Sequence, residues 1–213
     1  MGSRTLMNAL DARQTDALTE LINIAFGLTA AKLSEISGRR VLLHVPVVGI
    51  HPMDDLTKEL GSLEAGEVVA VHQAFTGPIS GDAILFLDYG GAVRLSNIFV
   101  EEGLQSQRLD PFTWEILTEI GNMVLGSCLG VFGNLLEVRV SFSAPMLHLE
   151  SLKPFLTSLS IDGDEARHGI VMSTSFRIRQ HEVAGQLAIA LSASSLDRLI
   201  QAVGVWDGSQ CAA

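Results

Sequence analysis

The sequence predicts an α+β fold in which two long helices pack on one largely antiparallel β-sheet. Three observations lead to this class. The chain repeats itself, since Asn122 follows Asn23 by 99 residues in matching surroundings. Each copy opens on a long segment with apolar residues at helical spacing, and three segments rich in β-branched residues follow it. Short links between these segments, such as GPIS, favour antiparallel hairpins because parallel neighbours need a long crossover.

The repeat is clearest at the start of each half. Residues 16–23, DALTELIN, return as residues 115–122, EILTEIGN. In both copies a proline follows the asparagine after 22 intervening residues, at Pro46 and Pro145. The hairpin-like run ISGDAILFLD later matches VAGQLAIALS at an offset of 104 residues. The second half therefore carries about five additional residues, which we place in the polar loop 153–168.

Each half is predicted to contain a long helix, three strands and a short closing helix. The long helices are expected at 12–36, where Gly38 follows, and at 111–132. Pro46 and Pro145 cannot donate to a β-ladder, so each marks an edge, a bulge or a bend in its strand. The strands are expected at 40–51, 67–76, 80–88, 137–149, 169–179 and 183–192, and the closing helices at 91–100 and 195–203.

We expect both halves to form one domain over residues 1–213, with repeats at about 10–104 and 109–204. Each half offers only about 100 residues, which is little for an independent core, and the link 101–108 is short. The two long helices would then cover one sheet assembled from both halves, as a two-layer structure. A pseudo-twofold axis is expected to relate the halves.

Composition narrows the range of functions. An apolar fraction of 47% predicts a packed core, and a net charge of −10 disfavours nucleic-acid binding, which normally needs a basic face. Neither Cys128 nor Cys211 lies in a zinc-binding pattern, and the six histidines share no spacing, so no metal site is expected. Phosphate-binding glycine motifs and a GxSxG elbow are absent from the sequence. Uncharged apolar stretches stay below the ~18 residues that span a bilayer, and no signal peptide is evident, so we expect a cytoplasmic protein without membrane insertion.

Four residues of the first long helix form a polar stripe. At 100° per residue, Asp16, Glu20, Asn23 and Gly27 fall within about 60° of one another, and we call them the first stripe. The opposite side of this helix is apolar, so the stripe is expected to face outward. That apolar side carries Leu18, Ile22, Ala25, Leu33 and Ile36.

The second long helix carries a matching set, the second stripe, composed of Glu115, Glu119, Asn122 and Gly126. A glycine within a helix costs ~1 kcal/mol relative to alanine, so one on each stripe suggests that a partner approaches the backbone there. A single Glu-x-x-Asn on an exposed face would ordinarily be surface alone. Two copies indicate function, because exposed positions diverge after duplication unless they are constrained. The apolar side of this helix carries Leu117, Ile120, Val124 and Phe132.

The spaced pattern acidic-x-x-x-Glu-x-x-Asn, followed after 22 residues by proline, resembles the signature of the CheC, CheX and FliY phosphatases. The run EIGN at 119–122 is a close local match, and two copies about 100 residues apart resemble CheC. The resemblance implies a CheC-like fold and a bacterial chemotaxis protein. It also implies a phosphatase that hydrolyses the aspartyl phosphate of a phosphorylated CheY-type receiver domain.

The resemblance also implies roles for individual residues. Asn23 and Asn122 would each orient the attacking water, while Glu20 and Glu119 would each pair with a lysine of the receiver. No cofactor is expected in this chain, because the receiver domain contributes its own Mg²⁺. The remaining signature residues would contact the partner: Asp16, Gly27, Pro46, Glu115, Gly126 and Pro145.

Two other functions stay open at this point. The same stripes could dock a receiver domain, or the receptor deamidase CheD, without catalysis. A carboxylate-based hydrolase of a small molecule would need a pocket, whereas Asp16 and Glu20 are predicted on a convex helix face. Two departures from the family pattern also matter. Glu115 stands where the family usually has Asp or Ser. After Asn23 a glycine of the family pattern is missing and Phe26 lies nearby, either as core packing, which we favour, or as a contact. The sequence therefore leaves open which stripe is active.

Overall fold

One antiparallel sheet with strands from both halves of the chain supports two long helices in the computed structural model. The structure describes residues 11–63, 66–100, 105–135, 137–159, 167–178 and 181–206. Its helices are α1 (Ala12–Ser37), α2 (Leu56–Glu59), α3 (Tyr89–Ile98), α4 (Pro111–Leu135), α5 (Leu152–Ser158) and α6 (Ala193–Val205). Its strands are β1 (Val41–Pro52), β2 (Glu67–Thr76), β3 (Gly81–Asp88), β4 (Ser141–Phe142), β5 (Met146–Ser151), β6 (Arg167–Ile178) and β7 (His181–Ser192).

The strand order interleaves the two halves. The sheet runs β1-β6-β7-β3-β2, and both β4 and β5 pair with the outer side of β2. The first strand of each half therefore pairs with the hairpin of the other half, β1 with β6 and β5 with β2. The pairing of β3 with β7 joins the hairpins in the middle. This arrangement confirms a largely antiparallel sheet assembled from both halves.

The long helices begin at equivalent aspartates. The carboxylate of Asp11 accepts a hydrogen bond from the backbone N–H of Gln14 at 2.7 Å, and the Gln14 side chain accepts one from the Asp11 N–H. The carboxylate of Asp110 accepts from the Thr113 N–H at 2.9 Å, and this bond, followed by one from Ser106, lowers the pKa of Asp110. Both aspartates satisfy backbone donors that the first helical turn leaves without partners. The similarity of the halves thus extends to the helix caps.

The prolines interrupt their strands, as the sequence predicts. The register of β1 against β6 shifts between His44 and Val47, on either side of Pro46. In the second half the predicted strand 137–149 is divided into β4 and β5, with Pro145 in the break between them. Both interruptions follow from the missing N–H of proline, which leaves one ladder position without a donor.

The apolar sides of α1 and α4 form the main core with the inner face of the sheet. All the apolar residues expected on α4 are buried, as are those of α1 with one exception. Ile36 was expected in the core and is 65% exposed, because it lies in the last turn of α1, where the chain leaves through Gly38 in a left-handed conformation at φ +60°. Phe26 is 1% exposed, which confirms its assignment to the core.

The opposite face of the sheet carries a smaller core that the two-layer prediction lacks. The short helices α2 and α5 cover part of this face, and Leu56, Phe155 and Leu156 pack there against Phe86. Placing residues 153–168 in a polar loop was therefore wrong for residues 153–158, which belong to α5, and for residues 167–168, which begin β6. Residues 160–166 of that loop lie outside the described residues. A helix of seven residues is too short to show a clear apolar period in sequence.

Helix α4 is strongly apolar along its length. Within the described part of the chain, it is the helix whose length and composition would allow it to cross a membrane. More than half of its most apolar window is buried against the rest of the protein. It contacts β2, β3 and β5 of the sheet as well as α1, α3 and α6. This is the environment of a core helix.

Candidate functional site

The first stripe lies on the outer surface of α1. The side chains of Asp16, Glu20 and Asn23 are exposed, and so is Gly27. Their side of the helix points away from the sheet, because Leu18, Leu21, Ile22 and the other buried residues of α1 take the opposite side. The prediction of an outward-facing stripe is confirmed here.

The second stripe is partly recessed on α4. Glu115 and Glu119 are exposed, whereas Asn122 and Gly126 are only half-exposed. The expectation that the second stripe faces outward is confirmed for its two glutamates, whereas Asn122 and Gly126 are more recessed than their counterparts in the first stripe. The difference arises because α4 lies over β2 and β5, so its last stripe residues approach the sheet edge.

A buried glutamine holds the asparagine of the second stripe. Nε2 of Gln73 donates to Oδ1 of Asn122 at 3.3 Å and to the carbonyl oxygen of Ser143 at 2.9 Å. Gln73 is 4% exposed and sits on β2, on the face that packs against α4. The sequence gives one signal for it, because Gln73 continues the inward alternation of Val69 and Val71 as a polar residue. Its contact with Asn122 has no signal in the sequence.

The same glutamine links the asparagine to the proline of the signature. Ser143 lies in the break between β4 and β5, two residues before the half-buried Pro145. It is fixed to β2 by its N–H, which donates to the Ala74 carbonyl at 2.9 Å, and by its hydroxyl, which accepts from the Ala74 N–H at 3.0 Å. The structure thus brings Asn122 and the segment before Pro145 together through Gln73. In the first half the backbone of Pro46 lies in β1, and its side chain falls outside the described residues.

The two stripe glycines are not explained by internal packing. A Cβ built on Gly27 or on Gly126 would have no atom of the described chain within 4 Å. Gly121 is different, because its Cβ would collide with the side chain of Val71 on the sheet. Gly121 therefore serves helix–sheet contact, while Gly27 and Gly126 leave open surface beside each asparagine.

A cleft on the opposite face of the sheet has a different character. It measures about 540 Å³, and its lining includes His72, Asp82, His148 and Phe155. Nε2 of His72 lies 2.9 Å from Oδ1 of Asp82. Burial, and then the nearby charge of His72, lowers the pKa of His148. Within the described ranges, no three His, Cys, Asp or Glu side chains are placed to share a metal ion.

Neither stripe lies in this cleft, nor in a second one of about 420 Å³ lined by residues such as Ile79 and Val138. The two glutamates and Asn23 instead project from helix surfaces, and Asn122 lies half-exposed on α4. A small substrate is normally enclosed by a concave site, whereas a convex surface is accessible to another macromolecule.

Known proteins resemble this chain in sequence and in fold. No family model matches the chain. The chain is 22% identical to the CheY-P phosphatase CheC of Bacillus subtilis over 209 residues, which cover 94% of this chain and 98% of that protein. It is also 22% identical to the flagellar motor switch phosphatase FliY of Bacillus subtilis over 178 residues, which cover 82% of this chain and 44% of that longer protein.

The chain is a CheC-type protein. Its fold is shared with Thermotoga maritima FliY, at a TM-score of 0.72 and 21% identity over 92% of this chain and 98% of that chain. It also resembles the middle domain of FliM from Helicobacter pylori, at a TM-score of 0.66 and 11% identity over 91% and 99% of the two chains. The resemblance to the CheC group that the two stripes suggest is thereby confirmed for the chain as a whole. The role of each stripe residue stays a prediction.

Proposed function

We propose that this CheC-type protein is a cytoplasmic chemotaxis phosphatase that hydrolyses the aspartyl phosphate of a phosphorylated CheY-type receiver domain. The observation that carries the proposal is the repeated grouping of a glutamate, an asparagine and an uncovered glycine on the outer surface of a long helix. Two relatives across most of the chain are named as phosphatases, one of them for CheY-P.

The convex position of both stripes supports a protein substrate. The phosphoryl group of a receiver domain sits on an aspartate in that domain, so a side chain must be carried to it. Asn23 and Asn122 extend from rigid helices and can enter such a site, while the open surface at Gly27 and Gly126 admits the partner's backbone. Asp16 and Glu115 lie one turn further toward the helix N-terminus and would contact the rim of the partner.

The proposed chemical role of this chain is to position the attacking water and the receiver domain. Phosphoryl transfer passes through a loose transition state that needs alignment and charge stabilisation more than covalent catalysis. An asparagine amide can hold a water in line with the phosphorus atom without changing its own ionisation. Glu20 and Glu119, both exposed, would each pair with a lysine of the receiver and so fix the angle of approach. The Mg²⁺ of the receiver, when bound, supplies the charge stabilisation.

The test is phosphate release from a phosphorylated CheY-type protein by substoichiometric amounts of this chain. We expect multiple turnovers from the parent and a loss of about 10²–10³-fold in Asn23→Ala/Asn122→Ala, because each site loses its water-orienting group. Binding to a receiver carrying a beryllofluoride phosphoryl analogue should remain within a few-fold. Asn134→Ala is a matched control, since Asn134 is exposed on α4 away from the stripe.

Two results would contradict the proposal. Hydrolysis by the double variant at the parental rate would remove the asparagines from the mechanism. A stoichiometric effect on the lifetime of the phosphorylated receiver, without turnover, would instead support a binding module. Docking to CheD stays a prediction of the family resemblance, and pull-down of purified CheD by the parent and by the double variant would test it.

A further inference from the structure

We infer that Gln73 is a positioning residue for Asn122, which makes the second stripe the preorganised and faster of the two sites. This inference rests on the proposed function for its kinetic consequence. Its structural part, a held Asn122 beside a mobile Asn23, can be tested independently of any activity.

The hydrogen-bond geometry carries the first step. One amide nitrogen, Nε2 of Gln73, faces two oxygens, Oδ1 of Asn122 and the carbonyl of Ser143. The Ser143 carbonyl can only accept, so the group facing it must be the NH₂ of Gln73. The same NH₂ then requires an acceptor on the second side, which sets the Asn122 amide with Oδ1 toward Gln73 and Nδ2 away from it.

The support beneath Gln73 is rigid. Gln73 pairs with Ala83 in the β2–β3 ladder, and Ser143 is tied to the backbone of the neighbouring Ala74. Oε1 of Gln73 is buried and has no hydrogen-bond partner among the described residues. A buried polar group that is only partly hydrogen-bonded lowers stability. The hydrogen bond to Asn122 would be the functional reason for a glutamine at this buried position.

The first stripe lacks this device, because the residue equivalent to Gln73, in the hairpin of the second half, is not a glutamine. The hairpins align through Gly81 and Gly185, so Ala83 corresponds to Leu187, and the ladder partner of Leu187 is Met172. Met172 is fully buried and has no amide group to offer. Asn23 itself is exposed on α1.

The kinetic consequence follows from side-chain entropy. A mobile asparagine must be ordered when it enters the partner's site, whereas a held one is already ordered. Ordering one side chain corresponds to a factor of about 10 in rate at most. We therefore expect the second site to turn over up to about 10-fold faster than the first.

The experiment introduces Gln73→Met into two single-site variants and compares its effect on kcat and KM. Asn23→Ala leaves only the second site, and there Gln73→Met should lower kcat about 10-fold while KM changes by less than about twofold. Asn122→Ala leaves only the first site, and there Gln73→Met should change neither constant. Methionine is the residue at the equivalent ladder position and removes the buried unpartnered oxygen, so the fold is expected to persist. An equal loss in both backgrounds would overturn the inference.

A second measurement needs no activity, and its first part uses the parent protein alone. In the parent protein the side-chain NH₂ groups of asparagines can be observed by NMR relaxation. We expect a higher order parameter for Asn122 than for Asn23, and a fall of the Asn122 value to that of Asn23 in Gln73→Met. Equal order in the parent would overturn the positioning role. If the order parameters differ and neither site hydrolyses the phosphate, the proposed function fails while the positioning role stands.

Discussion

Asn23 and Asn122 occupy the same position of their repeats, yet one projects from an exposed helix surface and the other rests on a buried glutamine of the sheet. The motifs on the two helices are nearly identical, while the corresponding ladder positions of the two hairpins differ, with Gln73 in β2 and Met172 in β6. A duplicated motif can therefore keep its sequence while its support changes. Judging equivalence requires the residues under a site as well as those in it.

The largest expected difference between the stripes is in single asparagine variants. If the second site is about 10-fold faster, Asn122→Ala should remove about nine tenths of the total phosphatase activity. Asn23→Ala should remove only about one tenth. Initial rates of phosphate release at saturating phosphorylated receiver measure both. Equal losses would show that the recessed position of Asn122 does not increase the rate of phosphate release.

Replacing a stripe glycine is expected to have a smaller effect, which is favourable for stability and unfavourable for activity. Gly126→Ala should raise the free energy of unfolding by ~1 kcal/mol, because the site is helical and open. It should also raise KM several-fold if a partner's backbone approaches there. Thermal unfolding and KM, measured on the same samples, test both effects.

Gly130→Ala is the control for this prediction. Gly130 also has open space at its Cβ among the described residues, and its counterpart in the first half is the exposed Ala31. The substitution should stabilise the protein by a similar amount and leave KM unchanged. A rise in KM for Gly130→Ala equal to that of Gly126→Ala would remove the special role of the stripe glycine.

The smallest expected effect concerns the opposite face of the sheet, where the halves also differ. His148 corresponds to Gly49 of the first half, and burial lowers its pKa below the usual 6.5. Its neighbours in this region are His72, Asp82 and Glu150. Because the folded protein binds this proton less readily than the unfolded chain, stability should fall as the pH drops below about 6.5.

His148→Gln tests that effect and the independence of the two faces. The variant should flatten the dependence of the unfolding temperature on pH in this range. The ratio of the activities of the two stripes, obtained from the single asparagine variants, should not change. A change in that ratio would mean that the cleft on the opposite face communicates with α1 or α4.

Much of the fold could be predicted because local signals mark it. Gly38 ends the first helix in a left-handed conformation, and β2 was predicted at 67–76, the range it occupies in the structure. The residues opposite each stripe follow a helical period over a long segment, which is the strongest pattern a single sequence offers. Helix α5 was not predicted, because it is short and lies next to residues of mixed character.

The stripe residues of the candidate site could be predicted from the sequence, whereas the contact of Gln73 with Asn122 could not. The stripe positions come from spacing within one helix. Gln73 contacts Asn122 across 49 residues of sequence, and only the packing of α4 on β2 creates that contact. The recession of Asn122 relative to Asn23 has the same origin, since both helices carry the same motif.

The interleaved strand order has a consequence for how this protein is made. Val41 of β1 pairs with Ile178 of β6, which lies near the other end of the chain and leaves the ribosome much later. Until then, β1 and the hairpin of β2 and β3 expose unpaired edges and apolar faces, a condition that favours association with other chains. A shortened product ending before β6 would keep the first stripe and lose the strand that pairs with β1, so its exposed edge would persist.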